Sequence, residues 1–331
     1  MLKRLFWIVA AIVLVLPFAA MAQDAEVELP EVDPLSVSGD IVIAGSSTVY
    51  PLTEAVAEQF IADGFSGEVT IDSIGSGAGF ERFCVAGETD VANASRAIRD
   101  SEIESCAALT PARTPIEIRV GTDALAVVVS AENDFVESLT IEQLAKIYSG
   151  EFATWADVDA SYPAEAIQLF SPGTDSGTFD YFVEAVIAPG LELEGEDASN
   201  AIINAPGIQF SEDDNVLVQG VEGSPYAIAY FGFAYFTEEA DALKALAIGE
   251  TAEETVAPNA ESAEDGSYPL ARPLFIYTDA GIMAEKPQVG AFVVYYLTVV
   301  NDLIDEVGYF PASVEALNAA KAAVVEAMGD M

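Results

Sequence analysis

The chain has no histidine among its 331 residues and only two cysteines, Cys84 and Cys106. Without an imidazole there is no Ser-His-Asp or Cys-His relay, no HExxH zinc site and none of the usual zinc ligand sets. Cations are scarce as well: 12 Lys and Arg stand against 55 Asp and Glu, for a formal charge of −43. A surface of that sign repels nucleic acid and anionic lipid, so no nucleic-acid partner is expected. No D-x-[DN]-x-[DN]-G calcium loop occurs, and neither a metal site nor a cofactor is expected. A phosphatase-type enzyme would need metal ligands or a base beside a nucleophile. Neither constellation is present, so no catalytic residue is assigned.

The N-terminus accounts for two of the few cations. Met1-Leu2-Lys3-Arg4 is a basic start, Phe6 to Phe18 is apolar, and Ala20-Met21-Ala22 fits a small-x-small cleavage site. Residues 1–22 therefore read as a secretory signal peptide, and the mature protein is expected to be periplasmic. The alternative is an uncleaved anchor, but the apolar run falls short of the roughly 20 residues that cross a bilayer. Cleavage takes the formal charge from −43 to −45, because Lys3 and Arg4 leave without any acid. We read this acidity as solvation in a salty exterior, where screening over about 8 Å mutes distant carboxylates. A lone cysteine pair in an exported protein reads as a disulfide, Cys84–Cys106, with two free buried thiols as the alternative. Residues 23–38 are acidic, contain proline and lack periodicity, and are expected to form a flexible leader.

What is present is a repeated arrangement of glycine and hydroxyl. Leu169-Phe170-Ser171-Pro172 is an apolar run that stops at Gly173. Thr174-Asp175-Ser176-Gly177-Thr178 follows, and then apolar residues fall at helical spacing, Phe179, Phe182, Val183 and Val186. The order is strand, turn, helix N-terminus. The first N–H groups of a helix have no intrahelical partner and carry partial positive charge, so such a turn suits an anion. Taken alone it reads equally as an N-cap and a glycine turn. The arrangement recurs. Strand Ile41 to Ala44 leads through Gly45-Ser46-Ser47-Thr48-Val49-Tyr50-Pro51 into a helix with Leu52, Val56 and Phe60 on one side. Strand Val69 to Ile74 leads through Gly75-Ser76-Gly77-Ala78-Gly79 into another helix. A short strand from Asp90 ends in Ala94-Ser95-Arg96, at the kind of strand end where ligands bind in α/β sheets. The planar Arg96 guanidinium fits an oxyanion, whereas Arg82 and Arg99 read as surface ion-pair partners.

The length suggests two lobes. Two apolar runs flank Gly121-Thr122-Asp123 between Pro115 and Ser130, and a matching pair of strands returns at Pro269 to Tyr277. Between them lie a helix at Ile141 to Tyr148 and a strand at Tyr226 to Gly232. Helical stretches Val289 to Glu306 and Ser313 to Met328 close the chain. The expectation is an α/β protein with a discontinuous first lobe, residues 39–121 and 271–331, and an inserted second lobe, residues 122–270. Two crossings would form a hinge, with the ligand cleft between the lobes.

These motifs, in this order, resemble the phosphate-binding component of Pst-type ABC importers, a type II periplasmic binding protein. The resemblance rests on Gly45-Ser46-Ser47-Thr48, Gly75 to Gly79, Ala94-Ser95-Arg96, Asp175 to Thr178 and Tyr226 to Gly232, and it spans nearly all of the mature chain. It implies a non-enzymatic monomer that captures inorganic phosphate and delivers it to the membrane permease of an ABC importer. The implied phosphate contacts are Ser47, Thr48, the amide of Val49, Ser76, Asp175, Ser176, Gly177 and Thr178. Two positions depart from the family pattern. Pro172 stands where many members have Arg, and Arg96 stands where they have Asp. We read this as a guanidinium moved across the cleft to Arg96. The missing Asp bears on selectivity, because a carboxylate accepts the proton of HPO₄²⁻ and has nothing to accept from sulfate. Asp175, Asp72 and Glu81 are candidate replacements. Sulfate, molybdate or a small carboxylate are the rival ligands.

Overall fold

The computed structural model describes residues 27–174, 176–238 and 241–329, so the expected signal peptide lies outside the described residues. Among the described residues eleven strands form: β1 Ile41–Gly45, β2 Val69–Ser73, β3 Val91–Ala94, β4 Ile116–Ser130, β5 Ser138–Thr140, β6 Gln168–Pro172, β7 Gln209–Ser211, β8 Ala227–Gly232, β9 Leu243–Ala245, β10 Ala247–Gly249 and β11 Ala271–Thr278. One mixed sheet runs β2-β1-β3-β11-β4-β8-β6-β7, with β9 also on β4, while β5 and β10 pair separately. β1 and β3 are buried nearly throughout, as parallel strands under helices must be, with Asn93 as the polar residue of β3.

The fold is two-lobed because one strand serves both halves of the sheet. The N-terminal part of β4 pairs antiparallel with β11, from Ile116↔Thr278 to Ala124↔Ala271. Its C-terminal part pairs with β8, from Leu125↔Gly232 to Val129↔Ile228. The two apolar runs around Gly121-Thr122-Asp123 are thus one strand of 15 residues, not two, and the expected pair at Pro269 to Tyr277 is the single strand β11. The reason is local. Thr122 exchanges both backbone hydrogen bonds with Phe310, each at 2.9 Å, so no backbone group there needs a turn. A Cβ on Gly121 would lie 2.4 Å from Ile304 Cδ1, so the glycine serves close packing and not reversal.

Each half has its own core. Ile41, Ile43, Val56 and Phe60 pack with Ile118, Leu274, Phe292 and Tyr296 in the first. Leu144, Tyr148, Trp155, Phe182 and Tyr230 pack in the second. There the rings of Phe182 and Tyr230 stack at 3.7 Å, and Tyr148 meets Tyr230 edge-on at 5.2 Å. Fully burying one such side chain is worth about 1.5–3 kcal/mol, and the ring geometry adds about 0.5–1.5 kcal/mol. The 21-residue helix Pro287–Val307 is apolar enough to cross a membrane by length and composition, yet its Val289, Phe292, Val293 and Tyr296 lie inside the first core.

Of the flexible leader expected at residues 23–38, residues 23–26 lie outside the described residues and residues 27–38 lie against that core. Leu29, Val32 and Val37 pack on it, Val27 N–H donates to Asn318 Oδ1 at 3.2 Å, and Asp33 caps a short turn at Pro34–Ser36. The segment has scattered apolar residues without a regular period, and irregular chain can bury such residues as well as a helix can. Cys84 and Cys106 form the expected disulfide, closing 22 residues between the helical turn Glu81–Ala86 and the helix Asp100–Ala107.

Candidate functional site

A cavity of about 520 Å³ opens where the ends of β1, β2 and β3 face the helix that begins at Gly177. Its near wall is built from three loops. Ser46, Ser47 and Thr48 come from the β1 loop, Gly75, Ser76 and Gly77 from the β2 loop, and Ser95, Arg96 and Arg99 follow β3. Backbone contact fixes their approach. Gly45 has φ +148°, and a Cβ there would sit 2.0 Å from Asn93 O. The Gly45 carbonyl accepts from the N–H groups of Ile74 and Gly75 at 2.9 and 2.8 Å, and Ser46 N–H donates to Asn93 O at 2.9 Å. Ser76 Oγ accepts from Ser95 N–H at 3.1 Å and lies 3.2 Å from Ser95 Oγ. The wall therefore presents hydroxyls and the N-terminal turns of the helices Tyr50–Ala62 and Ser76–Phe80, both of which favour negative charge.

The far wall is the helical run from Gly177, which contributes Asp180, Tyr181, Glu184 and Ala185 to the same cavity. Ser176 is its N-cap and accepts from Thr178 N–H at 3.2 Å. The two walls come close at Gly177, where a Cβ would stand 3.8 Å from Ser47 O. Tyr309, from the chain after the helix Pro287–Val307, donates to Thr48 O at 2.8 Å and ties the β1 loop to the C-terminal segment.

Three cations line the cavity, Arg96, Arg99 and Arg272, and the first and last are each held by a carboxylate. The Arg96 guanidinium forks onto both carboxylate oxygens of Glu102 at 2.7 and 2.9 Å and also donates to Ala97 O. Burial pushes the Glu102 carboxyl up, but Arg96 and the Arg99 amide outweigh it and hold the group below its ordinary value. Arg272 lies on β11 directly opposite Asp123 on β4, and its Nε donates to Asp123 Oδ2 at 3.0 Å. Its guanidinium carbon sits 3.6 Å from the Tyr181 ring centroid. Burial raises the Asp123 carboxyl, and the Arg272 guanidinium opposes that rise. Burial likewise raises Asp180, with Arg272 pulling it down and Glu184 pushing it up.

Of the residues expected from sequence, Ser47, Thr48, Ser76 and Arg96 come together around this cavity. Val49 is fully buried, and its amide lies 3.4 Å from Ser46 Oγ. Gly177 meets the cavity edge through Ser47, whereas Thr178 lines a neighbouring cavity of about 300 Å³ with Asp123 and Tyr309. Asp175 lies outside the described residues. Asp72 pairs with Arg82, and neither Asp72 nor Glu81 lines the cavity, where the acids are Asp180 and Glu184. Sequence reasoning missed Arg272, Asp123, Tyr181 and Asp180. A signal existed for the first two. Arg272 and Asp123 are oppositely charged residues embedded in the two apolar segments expected to cross between the lobes.

A two-lobed sheet with a donor-lined interlobe cleft defines a solute-binding protein of the type II class. A family model described as PBP superfamily domain matches residues 33–299. The chain is 40% identical over 311 residues to Protein SphX of Synechococcus elongatus, covering 92% of this chain and 86% of that one. It is 34% identical over 273 residues to Phosphate-binding protein PstS of Staphylococcus haemolyticus, covering 82% and 81% respectively. A crystal structure described as a possible phosphate binding protein from Planctomyces limnophilus superposes with a TM-score of 0.79 at 36% identity, over 88% of this chain and 99% of that one. The chain belongs to the PBP superfamily, in the family of SphX and PstS.

Proposed function

We propose that this chain captures inorganic phosphate in its interlobe cleft outside the cytoplasmic membrane and delivers it to the membrane permease of an ABC importer. It acts as a binding protein and not as an enzyme, and works as a monomer that residues 1–22 direct to the periplasm. The observation that carries the reading is the convergence of uncharged donors, Ser46, Ser47, Thr48, Ser76 and Ser95, on one cavity beside two helix N-termini. The staphylococcal relative, a phosphate-binding protein, agrees with it. Ser47, Thr48, the Val49 amide and Ser76 would hold the anion from residues 39–121. Asp175, Ser176, Gly177 and Thr178 would hold it from residues 122–270. Arg96 adds positive field at the rim.

Asp180 and Glu184 on the far wall support a preference for phosphate over sulfate. A carboxylate there accepts the proton that HPO₄²⁻ carries at neutral pH, and facing sulfate it would meet only acceptors. Isothermal titration of the mature protein tests the reading. Phosphate should bind tightly and sulfate should give no measurable heat. Equal or tighter binding of sulfate, molybdate or a small carboxylate would transfer the site to that ligand.

A further inference from the structure

We infer that Arg272, fixed by Asp123 and Tyr181, is the principal cation that grips the anion in the cleft. This rests on the phosphate reading above. Arg272 is 9% exposed and lines the cavity, and its Nη2 is buried without a hydrogen-bond partner. A guanidinium carries five N–H donors in a fixed plane, and a buried donor left unpaired is costly, so an acceptor at Nη2 would complete its set of partners. The near wall opposite offers hydroxyls and helix N-termini, which are arranged to donate to an acceptor that both walls share.

Arg272 is also held still. The bond from Nε to Asp123 Oδ2 and the stacking on Tyr181 fix the guanidinium plane on two sides. A bound anion would then meet a charge already desolvated and oriented, where charge-assisted bonds are strongest. Arg96 lacks that readiness, because its fork is engaged with Glu102. Arg119 also has a buried nitrogen without a partner, Nε, but its Nη2 bonds to Thr122 and Glu264 and it does not line the cavity. The placement of Arg272 adds a mechanical consequence. It stands on one of the two strands joining the lobes and is paired across to the other. An anion on its Nη2 therefore links the near-wall loops to the joining strands themselves.

The test compares wild type, Arg272→Lys and the double variant Arg272→Gln/Asp123→Asn by titration with inorganic phosphate. The double variant removes both charges at once and leaves no buried carboxylate unpaired, and unfolding curves without phosphate check its fold. Phosphate affinity should fall at least 30-fold in Arg272→Lys, which keeps the charge but loses the planar fork, and at least 100-fold in the double variant. Affinity within threefold of wild type in either folded variant overturns the inference. If the variants do not fold, the guanidinium NMR signals of wild type decide. Those of Arg272 should move on phosphate saturation, and unmoved Arg272 signals in a phosphate-saturated protein overturn it. Failure of wild type to bind phosphate would strike the functional reading instead.

Discussion

The two walls of the cleft are built on opposite principles. The near wall is backbone and hydroxyl together with the guanidinium groups of Arg96 and Arg99. Its position is set by glycines that let the ends of β1 and β3 and the turn after β2 touch, and by the Ser76–Ser95 bond. The far wall is one helical run whose cavity-facing residues are the carboxylates Asp180 and Glu184 and the ring of Tyr181. The near wall carries hydroxyls and cations but no carboxylate. The far wall can accept a proton and hold Arg272 against an aromatic face. An anion carrying a proton needs both, and neither wall alone supplies a complete set of partners.

The most severe way to break the near wall is Gly45→Ala. The added Cβ would overlap Asn93 O at a backbone conformation that L residues avoid. We expect a loss of about 4 kcal/mol or more in stability, read by denaturant unfolding, with phosphate binding lost at the same time. Removing the disulfide by Cys84→Ser/Cys106→Ser should cost about 3 kcal/mol, because it frees a closed loop of 22 residues in the unfolded chain. Phosphate affinity, measured under conditions where the variant is folded, should change little, since neither cysteine lines the cavity. On the far wall, Ser176→Ala/Thr178→Ala removes the N-cap hydroxyl and its neighbour. Phosphate affinity should drop by about 1–3 kcal/mol, or roughly 5- to 150-fold, by titration calorimetry.

The smallest effect separates the two arginines. Arg96→Ala should lower phosphate affinity by less than about tenfold, because its charge is spent on Glu102 at the partly buried rim. The pH dependence of stability should report the same pair. The Glu102 carboxyl is held below its ordinary value, so its contribution is present above the ordinary carboxylate range and is lost as pH falls through the folded-state value. Thermal unfolding of wild type and Arg96→Ala should therefore converge on acidification. A constant gap between the two curves would contradict the pairing.

Much of this was legible from residue order. Strand, glycine, hydroxyl and helix signals are local, so the β1 and β2 turns and the β3 end were found with nearly the right bounds. The cavity residues Ser47, Thr48, Ser76 and Arg96 followed from them. What escaped depends on partners distant in sequence. The Arg272–Asp123 pair spans 149 residues and exists only through the register of β4 with β11. The partner that occupies Arg96, Glu102, lies six residues away but on a different element, across a loop whose path sequence does not give. The packed segment 27–38 was misjudged because burial on a neighbouring core needs no periodicity of its own.

Phosphate held between the two walls should favour the state in which they meet. Small-angle X-ray scattering of the mature protein, with and without saturating phosphate, tests this directly. The radius of gyration should fall with phosphate in wild type, with no contraction in the Ser176→Ala/Thr178→Ala variant at a phosphate concentration that saturates only wild type. A radius that stays fixed in wild type while calorimetry records tight phosphate binding would contradict it, and would move the site into a single lobe.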